Sequence, residues 1–111
     1  MLGKRLNVMG TTYKVRKCKT EADVDIYKRN SLAGQTDYPS RTISVHWDTN
    51  NKEDIEDTVL HELVHTIIYH LFRTDEELIQ LAHSERFVDP FVSSLRDTLL
   101  RNKLVKFEIV K

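Results

Sequence analysis

The chain has 111 residues, of which 40% are hydrophobic, and this size supports one compact domain, spanning residues 1–111, with a modest core. Seventeen basic and seventeen acidic side chains cancel to a formal net charge of zero, so the composition argues against a protein that binds nucleic acid or an anionic membrane surface. No apolar run reaches the roughly 18–20 residues of a transmembrane helix.

The single cysteine, Cys18, has no partner for an internal disulfide, and the N-terminal residues are too polar for an export signal. We therefore expect a reducing, cytoplasmic setting. We interpret Cys18 as a small buried hydrophobe rather than as a nucleophile.

The first half of the sequence favours β-structure. Residues Leu6 to Val15 surround Gly10 and predict a strand or a bent hairpin. The glycine and proline in segment 33–40 predict a loop. Apolar and polar residues alternate in segment 42–47, which predicts a strand with one buried face and one face in solvent. The buried face carries Ile43, Val45 and Trp47, and the solvent face carries Thr42, Ser44 and His46.

A long helix is predicted after segment 48–51, which supplies several N-cap candidates and is followed by acidic residues that suit a helix N-terminus. Apolar residues then recur at helical spacing and predict a helix with one buried stripe. The stripe consists of Leu60, Leu63, Val64, Ile67, Ile68 and Leu71.

Two further helices and a strand are predicted after the long helix. Thr74 and Glu77 match a capping box and predict a short second helix. Ser84 is the expected cap of a third helix that extends to about Asn102, in which Pro90 either introduces a kink or marks the first turn. The alternating residues at the C-terminus indicate a closing strand.

The long helix carries the sequence His61-Glu62-Leu63-Val64-His65. Four residues of α-helix advance about 400°, so His61 and His65 lie on nearly the same side and can reach one ion. Glu62 points about 100° away from His61 and stays free to act as a general base. Two imidazole nitrogens suit Zn²⁺, so the motif predicts a zinc site for peptide hydrolysis. The alternative is that these three residues lie on the surface of an ordinary amphipathic helix and form no metal site.

A catalytic zinc usually has three protein ligands, so a third ligand must lie elsewhere in the chain. The candidates are His46, His70, His83, Glu76, Glu77 and Glu85. His70 lies about 140° round the helix from His65 and is expected to point away. Glu76 and Glu77 suit the dipole of the short helix. Glu85 opens the third helix on its apolar face, so packing would carry it inward, but the pattern alone leaves the choice open.

Two segments, TVLHELVHTII at 58–68 and SERFVDPF at 84–91, resemble the small phage-type gluzincin metallopeptidases related to the ImmA/IrrE family. Segments 10–15 and 41–45 are similar to the two strands that precede the motif in that family. The third zinc ligand of the family is a glutamate on the helix after the motif helix, and the matching position here is Glu85.

The resemblance implies a minimal zincin-like α+β domain, with a small, mostly antiparallel sheet packed on the motif helix and on a second long helix. It implies zinc held by His61, His65 and Glu85, with Glu62 as general base. The implied substrate is a protein or peptide, and in that family the substrates tend to be regulatory proteins such as repressors.

Two alternatives remain at this stage. A third ligand at His83 would make the site similar to SprT-type proteases, which act on DNA-bound proteins, although the neutral charge argues against that version. A chain of this size has little room for substrate-holding loops. A zinc-binding scaffold or interaction protein with a zincin fold and no turnover is therefore the competing hypothesis.

Overall fold

A computed structural model describes residues 5–27, 32–47 and 51–104, and within these ranges the chain forms an α+β domain. The elements are β1 (Arg5–Val8), β2 (Thr11–Cys18), α1 (Glu21–Val24), β3 (Gly34–Asp37), β4 (Thr42–His46), α2 (Lys52–Leu71), a 3₁₀ helix (Leu78–His83) and α3 (Glu85–Arg101). None of these helices is long and apolar enough to cross a bilayer.

The four strands form one mixed sheet in the order β1-β2-β4-β3. β1 and β2 are an antiparallel pair joined at Met9 and Gly10, both of which have positive φ, so the predicted hairpin is confirmed. β3 and β4 are also antiparallel, whereas β2 and β4 are parallel. The expectation of a mostly antiparallel sheet therefore holds for the two outer pairings but not for the central one, because α1 and β3 lie between β2 and β4 in the chain.

Segment 33–40, which the sequence predicts as a loop, contains strand β3. Gly34 pairs with Val45 and Asp37 pairs with Thr42, so only the tight turn that follows is irregular. The prediction is wrong because β3 has no apolar alternation of its own and is specified by its pairing with β4 and its contact with α2. In the described ranges β3 pairs with β4 alone and forms an edge of the sheet.

Two apolar clusters lie on different faces of α2. One joins the sheet to α2 and consists of Val8, Tyr13, Ile43, Val45, Trp47, Ile55 and Val59. The other joins α2 to α3 and consists of Leu60, Val64, Ile68, Ala82, Val88 and Val92. The prediction of a single stripe is therefore wrong. Ile67 and Leu71 are exposed, because α3 covers only the side of α2 that carries Leu60 and Val64.

The prediction that one face of β4 lies in solvent is also wrong at the centre of the strand, where Ser44 is fully buried. The Ser44 hydroxyl accepts a hydrogen bond from Arg16 Nε at 2.9 Å, and Arg16 also donates to the main-chain oxygen of Val24 at the end of α1. α1 therefore covers this face, and Thr42 and His46 at the strand ends are half-buried.

The long helices begin where the sequence predicts. Asn51 caps α2 and Ser84 caps α3, each through a side-chain oxygen that accepts a backbone N–H. Pro90 lies inside α3 in its second turn, so it does not mark the start of the helix. Cys18 is buried, as expected.

The short helix differs from its prediction in type and in cap. It is a 3₁₀ helix, and the side chain of Asp75, not that of Thr74, accepts the N–H groups of Glu77 and Leu78 at 3.0 and 2.9 Å. The predicted closing strand at the C-terminus lies outside the described residues from position 105 onward.

Candidate metal centre

Three side chains meet between α2 and the first turn of α3. The Nε2 atoms of His61 and His65 are 2.9 Å apart. Glu85 contacts both rings, with Oε2 at 2.7 Å from His61 Nε2 and Oε1 at 2.6 Å from His65 Nε2. Within residues 5–27, 32–47 and 51–104, this is the only group of three or more potential ligand side chains whose donor atoms all lie within 4.8 Å. The cluster could therefore hold a metal ion.

The packing of α3 on α2 carries Glu85 to this position. Val88 and Val92 are buried against α2, and Glu85 lies one turn before Val88 on the same side of α3. At the far end of the contact, Arg96 forms ion pairs with Glu56 at 3.4 Å and with Asp57 at 2.8 Å. The two helices are thus fixed against each other on both sides of the apolar contact.

The second ring nitrogen of each histidine also has a partner. His65 Nδ1 is hydrogen-bonded to the main-chain oxygen of Ala82, and His61 Nδ1 lies 3.3 Å from Asp89 Oδ1. The main-chain oxygen of Ala82 can only accept, so His65 Nδ1 donates to it and the neutral ring carries its lone pair on Nε2. The Asp89 carboxylate near His61 Nδ1 favours the same tautomer in His61. Such outer partners typically orient metal-binding histidines.

The positions of the protons on the two rings determine whether a metal ion fits between them. In the tautomer with both Nδ1 atoms protonated, two imidazole lone pairs and a carboxylate converge within 2.6–2.9 Å with no proton between them. A cation, or an extra proton on one ring, removes the resulting repulsion. Two nitrogens and one carboxylate oxygen are a donor set that suits Zn²⁺. Donors on one tetrahedral zinc ion lie about 3.3 Å apart, so the binding of such an ion would require these contacts to open by roughly half an ångström.

Glu62 lies beside this cluster and is not part of it. Its side chain is buried on the face of α2 that contacts β3, and Thr36 Oγ1 donates a hydrogen bond to its Oε1 at 2.9 Å. Burial raises the pKa of the Glu62 carboxyl, against the opposing effects of Thr36 and the two histidines. The two carboxylates near the rings therefore differ, because Glu85 contacts both imidazoles while Glu62 is held apart by the sheet.

Two clefts of about 480 and 230 Å³ meet at the cluster. Both are lined by Gly34, Glu62 and Glu85. The larger cleft continues along Leu32, Ala33, Asp57 and Thr58, and the smaller one along Thr36, Tyr38, Ala82 and His83. The cluster is therefore accessible from two sides, next to the edge strand of the sheet.

The other candidate ligands lie elsewhere. His70 points away from the site, as the helical angle predicts, and its Nε2 is 2.6 Å from the hydroxyl of Tyr13. Burial lowers the pKa of His70. His83 is exposed in the smaller cleft and lies edge-on to Tyr38. The remaining candidates are Glu76, Glu77 and His46, and none of them belongs to the cluster.

Sequence reasoning missed two side chains at the site, Asp89 and Thr36. Asp89 could have been found, because it lies four residues after Glu85 and therefore on the same face of α3. Thr36 could not, because its role depends on β3, which carries no strand pattern.

Comparisons of this chain with protein-family models, with curated proteins and with solved structures found no match.

Proposed function

We propose that this protein is a zinc-dependent metallopeptidase that hydrolyses a peptide bond in a protein or peptide substrate. His61, His65 and Glu85 would hold the zinc, and Glu62 would act as general base. One observation carries the proposal. The side chains of His61, His65 and Glu85 converge on one point, and the buried carboxylate of Glu62 lies beside them without joining the cluster. The resemblance of segments 58–68 and 84–91 to the ImmA/IrrE-related gluzincins supports the same assignment.

The zinc ion and the side chain of Glu62 would have separate roles in the reaction. Zinc, when bound, polarises a carbonyl and lowers the pKa of water. Glu62 accepts the proton of the attacking water and delivers it to the leaving amine nitrogen. The raised pKa of the Glu62 carboxyl suits this role, because a group that both takes and returns a proton works best when its pKa lies near the working pH.

The surroundings of the cluster favour an extended peptide as substrate. Clefts open on both sides of Glu62, and β3 presents an edge whose backbone groups have no strand partner among the described elements on that side. An extended peptide can add to such an edge through main-chain hydrogen bonds. The balanced charge of the chain favours a protein substrate over a nucleic acid. A regulatory protein such as a repressor is the class that the family resemblance implies.

The metal assignment is tested by elemental analysis of the purified wild type and of three variants, Glu85→Ala, His83→Ala and Glu77→Ala. We expect the wild type and the last two variants to contain stoichiometric zinc and Glu85→Ala to lose it. Loss of zinc in His83→Ala together with retention in Glu85→Ala would contradict the ligand set.

The catalytic assignment is tested by Glu62→Gln, with cleavage of a peptide library followed by mass spectrometry. Glutamine keeps the size of the side chain and an oxygen that can accept the Thr36 hydrogen bond, but it cannot act as a base. We expect the zinc content to be unchanged and the cleavage rate to fall by about 10²–10⁴-fold. If Glu62→Gln keeps both the zinc and the cellular effect of the wild type, the protein is a zinc-binding scaffold instead.

A further inference from the structure

The edge strand β3 contacts Glu62 at two positions. Gly34 and Thr36 are two residues apart and therefore lie on the same face of the strand, which is the face toward α2. Thr36 Oγ1 donates to Glu62 Oε1 at 2.9 Å and lies 3.5 Å from the hydroxyl of Thr66. Thr66 in turn donates to the main-chain oxygen of Glu62 at 2.7 Å. The hydroxyl of Thr36 is thus directed at one oxygen of the carboxylate.

Gly34 leaves room for the same carboxylate because it has no side chain. A Cβ at this position would lie 3.1 Å from both Cγ and Oε2 of Glu62 and 2.6 Å from Cγ2 of Thr58. Thr58 cannot turn freely, because its hydroxyl is bonded to the main-chain oxygen of Asp54 at 2.8 Å. Any side chain at position 34 would therefore clash with Thr58 and crowd Glu62, so the strand or these two side chains would have to shift.

The two oxygens of Glu62 consequently have different surroundings. Oε1 is held by Thr36, whereas Oε2 accepts no hydrogen bond from the part of the chain that the structure describes. A buried carboxylate with a purely structural role typically has both oxygens paired. Glu62 instead lines both clefts with one oxygen left for another partner.

We infer that Thr36 and Gly34 are positioning residues, which hold Glu62 so that its Oε2 faces the reacting water. Thr36 fixes one oxygen by its hydrogen bond, and Gly34 provides the space that the other oxygen needs. This inference rests on the proposed role of Glu62 as general base.

The first test compares Thr36→Val, Thr36→Ser and the control Thr12→Val in the zinc-loaded full chain, with the peptide library as substrate. Thr12 is exposed on β2, so its variant makes the same chemical change on the β1–β2 hairpin. We expect Thr36→Val to lower kcat by about 10–100-fold with KM and zinc content unchanged. Thr36→Ser should restore kcat to within about threefold, because serine returns the hydroxyl. Equal loss in Thr36→Val and Thr36→Ser would overturn the inference.

A second variant covers the case in which Thr36→Val does not fold. Gly34→Ala keeps the Thr36 hydroxyl but crowds Thr58 and the Glu62 carboxylate. We expect the carboxylate to shift, kcat to fall by about 100-fold and zinc content to be retained. An unchanged kcat in Gly34→Ala would show that the position of Glu62 is not set by this strand.

A double-mutant cycle separates this inference from the proposed function, because it needs no activity. The urea midpoints of wild type, Thr36→Val, Glu62→Ala and the double variant are measured with zinc bound. A non-additive shift shows that Thr36 and Glu62 interact, even if the wild type cleaves no peptide and the proposed function fails. Additive shifts together with an unchanged kcat in Thr36→Val would overturn the inference while leaving the proposed function intact.

Discussion

In the proposed zinc site, the contact between Asp89 and His61 is expected to make zinc affinity depend on a residue that is not itself a proposed ligand. Asp89 Oδ1 lies 3.3 Å from His61 Nδ1, and its negative charge favours a proton on that nitrogen. Removing the carboxylate in Asp89→Ala frees the ring to carry its proton on Nε2, the atom that faces the cluster. The histidine must then lose that proton before it can bind the ion, so we expect Asp89→Ala to weaken zinc binding.

The size of the effect follows from the exposure and length of this contact. Loss of an outer partner of a metal-binding histidine typically lowers metal affinity by 10–100-fold. The Asp89 side chain is 64% exposed and its contact with His61 is long, so water can replace part of the interaction. His65 keeps its own main-chain partner at Ala82. We therefore expect a decrease at the lower end of the range, about tenfold.

The assay is competition for zinc with a chromophoric chelator at neutral pH. Asp89→Asn retains an oxygen that can accept the Nδ1 proton and should stay within about threefold of the wild type. The matched control is Asp97→Ala on the same helix, which removes the same charge from a residue that pairs with Arg101. If Asp89→Ala binds zinc as tightly as the wild type, or if Asp97→Ala weakens it equally, the proposed orientation of His61 is wrong.

Two further predictions concern the fold that supports the site. Val88 is fully buried between α2 and α3. Val88→Ala should therefore lower the free energy of unfolding, measured by urea denaturation, by about 2 kcal/mol. A loss below about 0.5 kcal/mol would contradict close packing at this position. Asp37 accepts hydrogen bonds from Ser40 and Tyr27, and these hold the pKa of its carboxyl below the ordinary 3.8. Because the folded pKa is the lower one, the stabilisation is present above pH 3.8 and lost as the pH falls through the folded pKa. Asp37→Asn should thus lower the urea midpoint at neutral pH, by a margin that shrinks in acid; a constant margin would contradict this.

The sequence predicted those elements whose own pattern determines them. α2 and α3 follow from apolar periodicity and from caps at Asn51 and Ser84, and both are local signals. β3 was missed because it contains no apolar alternation. Gly34 has the appearance of a loop glycine, but its lack of a side chain is required by the close approach of β3 to α2. Burial that depends on a distant partner, as for Ser44 under Arg16, is equally invisible in a local pattern.

In the candidate site, too, the residues placed by helix spacing were predictable, and those placed by tertiary packing were not. The approach of His61 and His65 is fixed by four residues of helix, so the spacing alone predicted their common direction, and the structure places their Nε2 atoms 2.9 Å apart. Glu85 joins them only through the packing of a second helix, and the pattern of residues left it as one candidate among several. The contact of Thr36 with Glu62 needs a strand and a sheet order that no pattern indicated.

The choice between Glu85 and His83 illustrates why the third member of the cluster could not be predicted from residue type. The two residues are close in sequence, at the junction of the 3₁₀ helix and α3. At this junction the main-chain oxygen of Ala82 binds His65 Nδ1 and the Ala82 side chain is buried, so the next residue, His83, turns outward into the smaller cleft. The chain then enters α3, whose apolar contact with α2 returns Glu85 to the rings. The residue that holds His65 Nδ1 thus directly precedes His83, and it is Glu85, not His83, that reaches the cluster.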